Sequence, residues 1–122
     1  MDEKQKAGLM GEVAAARYLR DKGYDILTAN FRTRFGEIDI IAADEKYIVF
    51  VEVKTRGPRS IARPREFVDA HKRARLVKTA ALYLSQTKLP LQPRFDVMEV
   101  FVDAETLRVL HIEQIENAFD AG

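Results

Sequence analysis

Apolar residues recur along this chain in two rhythms, one helical and one alternating, and the switches between them mark out the elements. From about Lys4 to Lys22 the spacing is helical. Leu9, Val13, Ala15, Ala16 and Leu19 fall on one apolar stripe, and Gly23 follows as a left-handed stop. Tyr24–Asn30 reads as a strand, and a polar, aromatic-spaced link leads into a second strand, Glu37–Ala42. After the turn Asp44-Glu45-Lys46, Tyr47–Lys54 is apolar on both faces until Glu52, which predicts a central strand covered on both sides. Thr55–Arg63 reads as a loop. Pro64 then opens a helix reaching about Gln86, with a core stripe of Phe67, Ala70, Ala74, Val77, Ala81 and Leu84. Its outer face carries Lys72, Arg73, Arg75 and Lys78. Pro90 and Pro93 punctuate, Arg94–Val102 alternates as a strand, and Asp103–Thr106 turns. Leu107–Ile112 makes a closing strand, with a short helix or tail from Glu113. The order α-β-β-β-α-β-β predicts an α/β fold, a mixed central sheet flanked by helices, in one domain over residues 1–122.

Charges interrupt this pattern where strands should bury apolar side chains. Side chains alternate faces along a strand, so Glu52 and Lys54 point one way while Val51 and Val53 point the other. If the second and third strands pair as a hairpin, Asp39, Glu52 and Lys54 converge on one patch. Two carboxylates and a lysine are what a magnesium-dependent phosphodiester hydrolase requires: oxygen ligands for a hard cation, and a positive charge for the attacking water or the developing phosphate charge. Glu12 lies inside the apolar stripe of the first helix, where a carboxylate is costly unless it is paired, protonated or bound to a metal. Gly8 and Gly11 beside it suit close backbone approach, so Glu12 is expected to face the same patch.

Composition narrows the classes. The 122 residues are 47% apolar, ordinary for a single globular domain, and the absence of cysteine excludes disulfides, thiolate zinc sites and cysteine nucleophiles. No apolar run approaches a membrane span, and Met1–Lys6 lacks the apolar core of a signal peptide, so a cytoplasmic protein without membrane contact is expected. The net charge is only +1, but it is unevenly spread. Lys54–Lys78 holds nine basic residues against two acidic ones, and Phe95–Gly122 holds seven acidic residues against Arg108. A basic stretch beside the carboxylates suits a polyanionic ligand, although two charged faces that complement each other within the fold explain it equally well.

At this point the chain resembles known families. Glu12 on the first helix, Asp39 on a strand and Glu52-Val53-Lys54 on the next resemble restriction-endonuclease-like nucleases with the D…(D/E)xK signature, and within them archaeal-type Holliday junction resolvases. Gly8-x-x-Gly11-Glu12, Gly23-Tyr24, Asn30-Phe31-Arg32, Gly36-Glu37-Ile38-Asp39, Phe50–Arg56 and Arg94-Phe95-Asp96-Val97 resemble the YraN family of uncharacterised bacterial proteins. The pattern departs at Ile61-Ala62, where such proteins carry an aromatic-glycine pair. The resemblance implies a nuclease of structured or branched DNA with a repair or recombination role. It implies Mg2+ or Mn2+ held by Asp39, Glu52, the Val53 carbonyl and Glu12, with Lys54 acting on the attacking water. Arg32, Arg34, Arg56 and Lys72 become candidate phosphate contacts, and a homodimer would suit a symmetric junction. The alternative is a non-catalytic nucleic-acid- or protein-binding module on the same fold.

Other polar and aromatic residues read as structural. Glu37 shares strand parity with Asp39, and a role there competes with solvent exposure or a salt bridge to Arg34. His71 and His111 read as surface or satisfied residues, Tyr18 and Tyr83 as core or boundary aromatics, and Asp96 as a salt-bridge partner of Arg94.

Overall fold

A computed structural model describes residues 2–57, 68–103 and 105–120. Among these described residues seven elements follow in order: α1 (Glu3–Asp21), β1 (Asp25–Thr33), β2 (Gly36–Ala43), β3 (Tyr47–Arg56), α2 (Ala70–Thr87), β4 (Gln92–Val102) and β5 (Val109–Phe119). The strands form one open mixed sheet in the order β1-β2-β3-β4-β5. β1, β2 and β3 run as an antiparallel meander. β4 pairs parallel to β3 after the α2 crossover, and β5 returns antiparallel. No helix among the described residues is long and apolar enough to cross a membrane.

The two faces carry separate apolar clusters. Ala15, Leu19, Tyr24, Ile40, Val49, Val51, Met98 and Val100 pack under α1. Ile38, Ile41, Ile48, Phe50, Leu76, Ala80, Phe95, Val97 and Phe119 pack under α2. β3 is therefore the central strand that its two apolar faces predicted.

Local signals fix the helix ends. Asp2 caps α1 by accepting the Gln5 N–H at 2.7 Å, and the Gln5 side chain returns the bond to the Asp2 N–H. At the other end Gly23 (φ 99°) lets the Tyr24 N–H reach the Leu19 carbonyl and the Gly23 N–H reach the Arg20 carbonyl, each at 3.0 Å. Asp69 caps α2, accepting the Lys72 N–H at 2.9 Å. The second helix thus starts at Ala70 rather than at Pro64, because the capping carboxylate sets its first turn. Pro64, Phe67 and most of the 55–63 loop lie outside the described residues, as do Arg59, Arg63 and Arg65.

Both helical stripes are rotated from the expected ones. Leu9 and Val13 are 49% and 47% exposed, whereas Gly11, Ala15 and Leu19 face the sheet. Small side chains let α1 lie close: a Cβ on Gly11 would stand 2.1 Å from Thr55 Oγ1. On α2 the buried residues are Leu76, Thr79 and Ala80, with Val77, Tyr83 and Leu84 packed alongside, while Ala70, Ala74 and Ala81 are exposed. The chain from Glu113 is no helix or tail; it continues β5 to Phe119. Its polar residues belong to an edge strand whose Gln114 Nε2 and Asn117 N–H donate to the buried Asp96 at 2.9 and 3.0 Å. Asp96 is held bidentately by Arg94, which also donates to the Tyr24 hydroxyl at 2.7 Å.

Candidate functional site

The β2–β3 ladder runs from Ala43↔Ile48 to Ile40↔Val51 and stops there. Continuing the register would set Asp39 opposite Glu52. Instead the strands part, and the Asp39 side chain closes the gap by accepting the Val53 N–H through Oδ2 at 2.8 Å. β2 also changes parity at this point: Ile38 belongs to the cluster under α2 and Ile40 to the cluster under α1. Asp39 is thereby placed in a fork of the sheet, and it lines a cleft on either side together with Glu52.

One cleft, of about 530 Å³, is bounded by Thr33–Glu37 of the β1–β2 turn and by Lys72, Arg75 and Leu76 of α2. The other, of about 590 Å³, lies against α1 and is lined by Lys4, Gly8, Leu9, Glu12, Val53 and Arg56 among others. Glu12 reaches the fork from α1 because Gly11 allows the close approach to Thr55. All four expected metal ligands, Glu12, Asp39, Glu52 and Val53, therefore share one cleft, together with the candidate phosphate contact Arg56.

Their electrostatics reflect crowding. Burial, then the charge of Glu52, pushes the Asp39 carboxyl up to about 7 against the opposing Val53 hydrogen bond; Glu12 and Glu37 add to the rise. Burial and Glu37 also raise Glu12, with the Asp39 contact pulling it back down. Glu52 itself is buried, and Lys72 Nζ donates to its Oε1 at 2.5 Å. Asp39, Glu52, Glu12 and the Val53 carbonyl are all oxygen donors, the chemistry that a hard divalent cation takes. Among the described residues, no three His, Cys, Asp or Glu side chains already form a metal-ligating group.

The basic residues have different placements. Lys54 is half-buried, in backbone register with Glu99, and makes no ion pair among the described residues. It does not line either cleft beside Asp39 and Glu52. Arg32 Nε lies 3.3 Å from Glu37 Oε1, so the ion-pair partner of Glu37 is Arg32 rather than Arg34. The Arg34 guanidinium covers the Phe35 ring at 4.9 Å, and Lys78 Nζ stands 6.0 Å from the same ring. Arg56 Nε lies 3.4 Å from the buried Glu99. His71 is exposed, and His111 stacks on Phe101 at 5.6 Å at the surface. Sequence reasoning missed the Lys72–Glu52 contact and the lining role of Arg75, Thr33 and Phe35. The available signal was Asp69, an N-cap three residues before Lys72, which turns Lys72 into the first turn of α2 and toward β3.

A family model described as an uncharacterised protein family, UPF0102, matches residues 11–100, a span holding all of Glu12, Asp39, Glu52, Lys54 and Lys72. The chain is 45% identical to a UPF0102 protein of Caldanaerobacter subterraneus over 117 residues, covering 95% of this chain and 96% of that one. A Moorella thermoacetica UPF0102 protein is also 45% identical, covering 95% and 97% of the two chains. One from Persephonella marina is 43% identical over 93% and 92%.

Proposed function

The chain belongs to the UPF0102 family, and from that premise we propose that it is a metal-dependent nuclease hydrolysing phosphodiester bonds in structured or branched DNA, in repair or recombination. The observation that carries this reading is the carboxylate cluster in the fork, with Asp39 pushed up to about 7 by burial and by its neighbours. Crowded carboxylates of this kind are poised for a cation that would relieve their repulsion. The element order, with a meander followed by a parallel crossover, also supports a restriction-endonuclease-like core.

In this reading Asp39 and Glu52 would hold Mg2+ or Mn2+, with the Val53 carbonyl and Glu12 as further donors. When bound, the ion supplies charge neutralisation at the phosphate and Lewis acidity. Lys54 shares the strand parity of Glu52 but lines neither cleft, so it would have to extend toward the cluster to orient the attacking water or meet the charge that develops at phosphorus. Arg32, Arg34 and Arg56 contact the phosphate backbone, joined by Lys72 once it is released from Glu52, and such contacts fix register without reading bases. A homodimer would place two such sites on a symmetric junction, and the exposed Val109 and Leu110 of edge strand β5 offer one surface for it.

A second reading, a non-catalytic binding module, draws on the ion pair between Lys72 and Glu52, which gives the buried glutamate a partner without any metal. Cleavage of four-way junctions, flaps, single strands and duplexes with Mg2+ or Mn2+ separates the two. The nuclease reading expects cutting that Asp39→Asn abolishes. Salt-sensitive binding without cutting on any substrate selects the binding module.

A further inference from the structure

Glu52 is the most deeply buried of the fork carboxylates, and the group that neutralises it comes from the other side of the sheet from Glu12. Lys72 stands in the first turn of α2, where Asp69 accepts its backbone N–H at 2.9 Å and fixes that turn. From there its ammonium reaches Glu52 Oε1 at 2.5 Å, while its side chain stays 39% exposed along the cleft that Arg34 and Arg75 also line. Lys54, the lysine that strand parity places on the side of Glu52, makes no such pair among the described residues. The cation held at the cluster in this structure is thus a side chain of the protein itself.

We propose that Lys72 is a positioning residue that acts as a resident counter-ion: it holds Glu52 in the fork, and a divalent cation must displace it to take that carboxylate. The geometry supports exchange rather than joint occupancy. The ammonium occupies Oε1 of Glu52, so a cation that takes both oxygens of the carboxylate competes with it directly, and an ammonium this close to a bound dication is repelled by it. Lys72 has somewhere to go, since its cleft is open to solvent and long lysine stems hold several rotamers. The exchange keeps Glu52 neutralised in both states, so the buried carboxylate never stands alone. It also sets the affinity for the ion, because each binding event must first break the internal pair.

This inference rests on the metal-site reading of the fork but is read out without catalysis. The probe is MnCl2, titrated by calorimetry into the full chain and into Lys72→Met, Lys72→Gln and Lys72→Arg at one pH and low ionic strength. Lys72→Met is expected to bind Mn2+ roughly tenfold more tightly than the wild type, about 1.4 kcal/mol at 25 °C, with a larger rise in melting temperature on saturation. Lys72→Arg should restore an affinity near the wild-type one, since it keeps the charge. Lys72→Gln keeps a donor for Glu52 without the charge and should follow Lys72→Met, so the comparison survives if the apolar variant folds poorly. A purely structural lysine would lower the melting temperature of the ion-free variants and leave the Mn2+ affinity where it was. Equal or weaker Mn2+ binding by both neutral variants overturns the inference alone. Mn2+ binding by none of the proteins overturns it together with the metal-site reading. Tighter binding by the neutral variants, with no cutting of any substrate, leaves the inference standing and removes the nuclease reading.

Discussion

At the scale of single residues, Asp39 does two jobs at once. Its carboxylate finishes a β-ladder that the backbone leaves open, and it sits among like charges. The Asp39 carboxyl is raised from 3.8 to about 7 on folding, so between those values the folded state binds more protons than the unfolded one. Its stabilising share is fully present below about pH 4 and is lost as pH rises through about 7. Asp39→Asn keeps an acceptor for the Val53 N–H but cannot ionise. Urea denaturation across this range should show the wild type losing on the order of 2–4 kcal/mol relative to Asp39→Asn as pH rises. Parallel pH profiles for the two proteins would remove the crowding argument. Asp44 and Asp103, which accept backbone N–H groups in turns, have lowered carboxyls and shift stability the opposite way, which is why the difference between variants is the informative quantity.

At the scale of elements, the strands were legible in the sequence and the helix faces were not. The two apolar faces of Tyr47–Lys54 survive as a central strand covered on both sides, whereas the alternation of Arg94–Val102 does not show in its burial: every residue of that stretch is buried, because β4 is paired on both edges and its polar Arg94, Asp96 and Glu99 are taken inside with partners. The helices misled because hydrophobicity does not rank their inward residues. α1 turns Gly11 and Ala15 inward and leaves Leu9 and Val13 in solvent, since only small residues allow it to lie this close to β3. The first part of β5 reads as a strand, but its continuation from Glu113 reads as a short helix or tail because Glu113, Gln114, Glu116 and Asn117 are polar, yet a buried Asp96 needs such donors on the neighbouring strand. Among the site residues, Asp39, Glu52 and Glu12 were readable as charges out of place, whereas the Lys72 contact depended on where α2 begins. The close approach of α1 gives a direct test. Gly11→Ala places a methyl group 2.1 Å from Thr55 Oγ1. Despite a better helix propensity, it should cost roughly 1–2 kcal/mol in thermal or urea unfolding. Adding Thr55→Ala should recover much of that loss, and a Gly11→Ala protein as stable as the wild type would show that α1 has room to spare.

At the scale of the whole molecule, two neighbouring clusters of buried charge are built to opposite rules. In one, Arg94, Asp96, Tyr24, Gln114 and the Asn117 N–H form a network in which the buried carboxylate accepts from three partners. In the other, carboxylates crowd around a fork. Arg94→Met should therefore cost roughly 3–5 kcal/mol in urea unfolding, because it strands Asp96 in the core. Adding Asp96→Asn should return a large part of that loss without touching ion binding at the fork. A small loss from Arg94→Met would mean that Gln114 and Asn117 suffice to hold the charge.

The fork itself has one more consequence. A fully paired sheet is a partition: whatever happens on one face is screened from the other by a continuous layer of backbone. Where β2 and β3 part beyond Ile40 and Val51, that layer has a window, and Asp39 and Glu52 stand in its frame. Glu12 looks through from α1, and Lys72 looks through from α2. Substitutions on two helices that lie on opposite sides of the sheet thus meet at the same pair of carboxylates. Their effects at the fork should combine non-additively, as those of direct neighbours do, so the window makes the two layers of this small domain answer to each other.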